Sequence, residues 1–512
     1  MNNMLITLKK PMAVHALVLI LVSIYWALRM SAFSGLSGDE AEQVLFAQSF
    51  RWGYDVANPP LYTWILIALF SVFGKSAGLV VAFKLCILAG IYLALHHAAR
   101  LSLGNERRLD WALVALSPLL IFFMSWHAIF SYSHSLLNAL FIVLTFSALH
   151  MVIKDGRLRW YVVLGSLIGL GIMTKYAYVM FLLALISAGM SLTMVRSRLL
   201  NRSALVTVII ASAIIAPHVA WLWASADMLK DAISYKLETG QDISTIKAIG
   251  KGLWSLLRST FAFLSPLWLI VLLVFPAIFK KTRQADLLPI AAPLLSRTFL
   301  AIIILMLSMV VLGGVTQFRP NYLFILILFP LWVFARLPAE PVPGKRRRVY
   351  AGLVMTACAL SVGGLAAKAV LDPLRCKKCQ FLIPYEKIAK ELQRQGFNAG
   401  SVFATWYPNP LPGNLALYLP DSRIVSHKFI DIIPPARQHA KNQTGQCMAV
   451  WVPRERGGKT AEAAAGSTNA IFGTKLPPNQ PSQRIELPLY RAPDKTVLID
   501  YFIINPGQAD CR

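Results

Sequence analysis

Acidic side chains are scarce in this chain: 24 Asp and Glu in 512 residues, against 50 Lys and Arg. Charged residues of both signs reach only 14%, where an average soluble domain carries about a quarter. That shortage excludes a soluble globular protein over most of the length. Nucleic-acid-binding motifs are missing, although the net charge is +26. Most of the basic excess sits in short loops between apolar runs, where it sets membrane topology, so no nucleic acid is expected as partner. No internal repeat is visible, and few ionisable residues fall deep in the apolar runs; both argue against a transporter or lipid flippase. Only six cysteines occur. The single CKKC at 376–379 has no second CxxC to complete a zinc site, and no βαβ pattern surrounds it to suggest a redox motif.

What is present is apolar. Hydrophobic residues make up 56% and the mean hydropathy is +0.58. Apolar segments fall at 11–30, 60–74, 77–99, 110–125, 134–153, 160–174, 176–195, 203–224, 257–279, 297–315, 321–335 and 349–371. This is the pattern of a polytopic α-helical membrane protein. The first segment is long for a secretory h-region, and no small-x-small cleavage site follows closely. It is expected to remain as the first helix, with Lys9 and Lys10 cytoplasmic.

The basic clusters decide which segments cross. They lie at Arg100, Arg107 and Arg108; at Lys154, Arg157 and Arg159; at Arg196, Arg198 and Arg202; at Lys280, Lys281 and Arg283; and at Arg336 with Lys345 to Arg348. If 60–74 crosses, all of them fall outside. If it does not, all of them fall inside, as the positive-inside rule requires. The segment is also shorter than the ~20 residues that span the hydrocarbon, and Pro59-Pro60 suits a helix start. It is expected to lie along the outer face, leaving about eleven spanning helices and one large external loop, 31–76. The other external segments are 126–133, the turn near Lys175, 225–256, 316–322 and everything after 372. The stretch 287–295, LLPIAAPLL, is ambiguous.

Two domains follow: a transmembrane domain, 1–371, and a soluble α/β domain, 372–512. In the second, SVFATW, RIVSHKFI, CMAVWV and TVLIDYFII read as strands, and YEKIAKELQRQG as a helix ended by Gly396. RERGGKTAEAAAGSTNA, 454–470, reads as a flexible loop. Cys376, Cys379, Cys447 and Cys511 lie in this external part and are disulfide candidates, two bridges in an oxidising compartment. Cys86 and Cys358 fall in apolar helices and read as packing residues.

The densest polar group outside this tail is Asp39, Glu40 and Glu42, just past the first helix. An acidic pair in a first turn favours the helix dipole. A carboxylate at a helix start beside the membrane also suits a general base. Trp52, Tyr54, Tyr62 and Trp64 read as a sugar-stacking face or as interfacial aromatics. In the second external loop, SWHAIFSYSHSL, His127, Tyr132, Ser133 and His134 stand out; His134 suits acceptor orientation or metal ligation. Whether a metal takes part is not legible.

Four elements occur in order: the acidic pair after the first helix, NPPLYTW at 58–64, GIMTKY at 171–176, and TQFRPNYLFILILFP from 316. GNLALYLPDSRIV at 413–425 adds a fifth in the tail. Together they resemble the GT-C glycosyltransferases of the dolichyl-phosphate-mannose-protein mannosyltransferase-like group. Bacterial aminoarabinose transferases and rhizobial galacturonic acid transferases are members. The resemblance implies an integral enzyme of the bacterial inner membrane with its active site and tail in the periplasm. It implies a polyprenyl-phosphate sugar as donor within the membrane lipid, and a lipopolysaccharide, other glycan or protein as acceptor. The chain is read as a monomer. Asp39 takes the place of the family's catalytic acid, with Glu40 its neighbour. Lys175 and Arg319 are candidates for the donor phosphate, then Arg51 and Lys84; Lys84 lies about 10 Å into its helix, where a charge is costly. Asn58, Tyr62, Trp64, Tyr132 and His134 are candidates for the sugar or acceptor. The chain departs from the aminoarabinose branch at Ala57-Asn58, where that branch has Glu-Lys, and at Glu42, where it has a basic residue. Both changes remove positive charge, against an aminoarabinose donor. An accessory subunit with a recognition tail is the other class of reading, but it leaves the acidic pair without a role.

Overall fold

The structure, a computed structural model, describes residues 2–55, 58–226, 244–279, 289–338, 344–375, 379–432 and 446–504. It is mostly helical, with one small sheet near the C-terminus. Six described helices are long and apolar enough to cross a membrane: Pro11–Ala32, Ala77–Leu103, Ser133–Asp155, Ala204–Ala224, Ala291–Val311 and Lys345–Arg375. A seventh arises if Ala177–Met190 and Thr193–Leu199, bent by 116°, form one broken span. The segment at 60–74 forms the 13-residue helix Leu61–Phe73. At 1.5 Å per residue it is about 20 Å long, short of the ~30 Å of hydrocarbon.

Three apolar segments that read as continuous are broken at proline. The 110–125 run splits into Arg108–Leu116, a 3-10 turn containing Pro118, and a π turn at Phe123–His127. The 257–279 run belongs to Thr245–Leu264 and Leu267–Val274, separated at Pro266. The 321–335 run becomes 3-10 helix Pro320–Leu326 and helix Phe329–Arg336, with Pro330 in its first turn. Proline has no N–H to give, so each ladder stops there. The first two breaks meet: Ile121 bridges Pro266, and Phe122 N donates to Ser265 O at 3.0 Å. The ambiguous stretch at 287–295 ends inside the Ala291–Val311 helix.

The chain forms two compact units. The first comprises Met1–Ser23, Val56–Leu61 and Lys84–Val362. In it, the loops expected on one side of the membrane gather together. Asp110 accepts from Arg107 Nε at 2.8 Å and Arg347 Nε at 2.7 Å, all three buried, joining two of the basic clusters. Arg297 Nη1 likewise donates to Ser191 O, at 2.5 Å. Lys280, Lys281 and Arg283 lie outside the described residues, as do 227–243 of the expected loop 225–256.

The second unit comprises Ile24–Asp55, Tyr62–Phe83 and Gly363–Arg512. The first expected external loop therefore packs largely with the C-terminal region. The sheet order is β2-β1-β3-β5-β4, with β1 Gly400–Ala404, β2 Arg423–Val425, β3 Gln446–Trp451, β4 Gln483–Leu489 and β5 Ala492–Ile504. β2, β1 and β3 are parallel; β5 and β4 are antiparallel additions. β4 is an edge strand, where Pro488 is tolerated. Helix Tyr385–Arg394 ends before Gly396, which has φ +98°. The expected flexible loop at 454–470 is corrected: it contains helix Ala461–Phe472, capped by Thr460. Its AEAAA start has high helix propensity, which outweighs the Gly and Ser that suggest a loop. Cys379 and Cys447 are both disulfide-bonded; Cys376 and Cys511 lie outside the described residues. Cys86 and Cys358 are free.

The loop meets the C-terminal region along helix Gly38–Phe46. Gln48 exchanges two hydrogen bonds with the Ile424 backbone, at 3.0 and 2.8 Å. Asn414 Oδ1 accepts from Leu36 N at 2.8 Å. A Cβ on Gly413 would lie 1.8 Å from Ala41 O, so only glycine permits this approach. Gly413→Ala is expected to push the helix away, at a cost of about 1–3 kcal/mol for overpacking. Hydrogen–deuterium exchange across 38–46 in the detergent-solubilised protein should accelerate; unchanged exchange would contradict this packing.

Candidate active site

The acidic pair divides. Ser37 Oγ accepts from Glu40 N at 3.4 Å, and Ser37 N donates to Glu40 Oε2 at 2.8 Å, a reciprocal capping box. Glu40 is fully buried and faces buried Arg29, Nη2 to Oε2 3.4 Å. Arg29 Nη2 also donates to Gly35 O at 2.7 Å, and its guanidinium lies 4.7 Å from the Phe381 ring centre. Glu40 thereby holds the helix start. Asp39, next to it, is exposed. Buried Gln43 accepts from Thr63 Oγ1 at 2.6 Å, tying this helix to Leu61–Phe73. Glu42 pairs with Lys428 at 3.7 Å. The result is a rigid, capped helix that presents one carboxylate, Asp39, in its first turn.

The aromatic loop also divides. Phe50, Trp52 and Trp64 form one cluster with centroids 5.3–5.7 Å apart, and Phe50 and Trp52 are exposed. Trp64 Nε1 donates to Arg51 O at 2.7 Å. Tyr54 is buried on Phe46, and burial pushes its hydroxyl up to about 12. Burial holds the half-buried Arg51 guanidinium below its usual range. Tyr62 is fully buried against Phe83, so it offers no open face for a sugar, a correction to the stacking expectation.

In the first unit a second polar centre forms around Lys175. It is 8% exposed, and Nζ donates to Ser135 Oγ at 2.7 Å and Asn321 O at 3.0 Å. Its ammonium lies 5.4 Å from the Tyr322 ring centre. Tyr322 N donates to Arg319 O at 3.0 Å as the 3-10 helix Pro320–Leu326 begins. Arg319 itself is exposed, its Nε donating to Gln317 Oε1 at 2.8 Å. Lys175 and the Arg319 turn thus belong to one centre. His134 Nδ1 is 3.2 Å from Thr174 O, beside it. Leu61 N donates to Met173 O at 3.1 Å, which brings half-buried Asn58 and its two prolines onto the GIMTKY turn. Tyr132 has φ +70°, rare for a non-glycine residue, and packs on Phe123, His127 and Phe324. Lys84 is fully buried in its helix. Among the described residues no group of three or more His, Cys, Asp and Glu is placed to hold a metal ion.

Sequence reasoning missed Arg29, Gln43, Ser135, Asn321 and Asn414. Only Ser37 and Glu40 carried a local signal, the S-x-x-E spacing of a capping box.

The chain is mostly helical with a small C-terminal sheet, and comparison with known proteins gives its class. Residues 57–221 match the family described as dolichyl-phosphate-mannose-protein mannosyltransferase, and the chain is a membrane glycosyltransferase. It is 28% identical over 459 residues to the lipopolysaccharide core galacturonosyltransferase RgtA of Rhizobium johnstonii, covering 88% of this chain and 87% of that one. It is 26% identical over 330 residues to RgtB of the same organism, covering 64% and 65%. Its fold is similar to that of ArnT from Cupriavidus metallidurans bound to undecaprenyl phosphate, with TM-score 0.57 and 13% identity over 95% of this chain and 97% of that one.

Glu40→Gln removes the negative charge beside a buried guanidinium, a change that costs about 3–5 kcal/mol. The purified variant is expected to melt well below the parent, whereas Asp39→Asn should melt with it. Equal melting of Glu40→Gln and the parent would contradict the structural role of Glu40.

Proposed function

We propose that this enzyme moves a sugar from a polyprenyl-phosphate carrier to lipopolysaccharide or another cell-envelope glycan. The transfer takes place on the periplasmic side of the bacterial inner membrane. A transmembrane domain, 1–371, with about eleven spans and a periplasmic domain, 372–512, make up the chain in this reading. The observation that carries it is the divided acidic pair: Glu40 locks the helix start, and Asp39 alone is presented. The relatives' names support a uronic acid as the sugar, and the ArnT structure's bound undecaprenyl phosphate supports a lipid phosphate as the leaving group.

The chemistry is a single displacement. Asp39 accepts the proton of the acceptor hydroxyl as its oxygen attacks C1 of the sugar. The C1–O bond to the lipid phosphate breaks, and the phosphate leaves with the electron pair. A phosphate is a stable anion, so no general acid is required. Lys175 and Arg319 stabilise its charge, Lys175 from a buried position where a fixed cation acts with little screening. Attack opposite the leaving group inverts C1. Asn58 and His134, beside the lysine turn, contact sugar or acceptor, as do Tyr132, Trp64 and Trp52.

Transfer from polyprenyl-phosphate galacturonate to lipopolysaccharide in membranes tests the assignment. Asp39→Asn is expected to lower the rate by ~100-fold or more, the scale of a lost general base. Lys175→Met should lower it comparably, as loss of a charge-stabilising donor does. Parent-like transfer by Asp39→Asn would remove the catalytic assignment.

A further inference from the structure

The C-terminal sheet has a feature that sugar transfer at Asp39 does not use. The parallel strands lie in the order β2-β1-β3, so the chain leaves β1 for one neighbour and then crosses to the other. In open α/β sheets, ligands bind outside the carboxyl ends of the strands where the order reverses in this way. Three segments meet that edge here: Thr405–Asn409 after β1, Ser426–Lys428 after β2, and Val452–Thr460 after β3, leading into helix Ala461–Phe472. A cleft of about 670 Å³ lies at the same end of the sheet, with Pro408 and Asn409 after β1, Val452, Arg456 and Gly457 after β3, and Asp494 and Lys495 of β5 in its lining; Thr405, Ser426, His427, Lys428 and Lys459 lie outside that lining.

Two hydroxyls at this edge are buried without a hydrogen-bond partner among the described residues. They are Thr405 Oγ1, on a residue 1% exposed, and Ser426 Oγ, on a residue 0% exposed. An unsatisfied buried polar group costs about 1–3 kcal/mol, so a polar ligand has two waiting partners. Basic side chains surround them. His427 and Lys459 meet the same ring, 6.4 Å and 5.7 Å from the centre of Phe403. Lys428 lies 4.8 Å from the Trp406 ring and 4.6 Å from that of Phe429. Among the described residues the carboxylate recorded on this group is Glu42, 3.7 Å from Lys428; Lys459 Nζ donates to Ser467 Oγ at 2.8 Å. Burial, then Lys459 and Lys428, hold His427 below its usual range.

The backbone adds to this. Gly457 has φ +81°, and a Cβ on Gly458 would lie 1.7 Å from Val452 O. The two glycines let the loop turn tightly into the start of the 12-residue helix Ala461–Phe472. Ala463 N already donates to Thr460 Oγ1 at 3.2 Å; the helix dipole at such a start favours an anion.

We propose that this edge is an oxyanion-binding site, built from Thr405, Ser426, His427, Lys428 and Lys459, that takes a phosphate or carboxylate carried by a sugar. That the sugar belongs to the acceptor glycan rests on the function proposed above; the oxyanion site does not.

Titration of the intact, detergent-solubilised protein with inorganic phosphate, galacturonic acid and uncharged galactose tests it by calorimetry. Phosphate or galacturonate should bind saturably and galactose should not. Stronger phosphate binding assigns the site to phosphorylated sugars, and stronger galacturonate binding to uronates. Lys459→Gln should weaken binding by about tenfold, the scale of one charge-assisted contact, and Lys459→Arg should retain it. Thr405→Val should weaken binding while melting no lower than the parent, because the hydroxyl it removes has no partner to lose. Asp39→Asn should bind the probes like the parent, which separates this site from the transfer reaction. Absence of saturable binding of both anions, or equal binding by parent, Lys459→Gln and Thr405→Val, would overturn the proposal.

Discussion

The buried contact between Arg29 and Glu40 organises the loop that carries Asp39. Arg29 stands near the end of the first apolar helix, Pro11–Ala32, and binds Gly35 O as well as the Glu40 carboxylate. The same carboxylate closes the capping box on Ser37. One cation thereby sets where the chain leaves its helix, how it turns, and where the next helix starts. Burying such a pair is costly, so it contributes specificity of geometry more than stability. The outcome is local and definite: of two adjacent carboxylates, one is enclosed and one is presented.

That helix is then held from outside the loop. Gly413, Asn414, Ile424 and Lys428 of the C-terminal region reach Ala41, Leu36, Gln48 and Glu42. Ser34 adds hydrogen bonds to Phe381 O and Ile383 O. The GNLALYLPDSRIV element gains a physical role from these contacts. Its glycine and asparagine are the docking surface for the acidic helix, and its strand, β2, receives Gln48. The C-terminal region therefore holds the helix that carries Asp39.

Much of this was legible in the sequence, for identifiable reasons. Apolar length marked the helices, and Leu61–Phe73, with 13 residues, is one of the shorter apolar ones. Breaks at Pro118, Pro266 and Pro330 were not legible, because hydropathy does not register a missing N–H. Asp39 and Lys175 were visible as ionisable residues in an apolar context. The partners of Lys175 were not, since Ser135 and Asn321 lie 40 and 146 residues away and are brought in only by folding. The acidic pair reads as one feature in the sequence, and capping geometry separates its members. Tyr62 was misjudged because an aromatic at a membrane surface faces inward as readily as outward.

The account rests on the claim that the protein places a sugar on a cell-envelope glycan. Mass spectrometry of the glycolipids extracted from cells with and without the intact gene measures that directly. A lipopolysaccharide species heavier by one sugar residue, present with the protein and missing without it, is the predicted result. Identical glycolipid profiles, with a new sugar found instead on protein or on nothing, would contradict it.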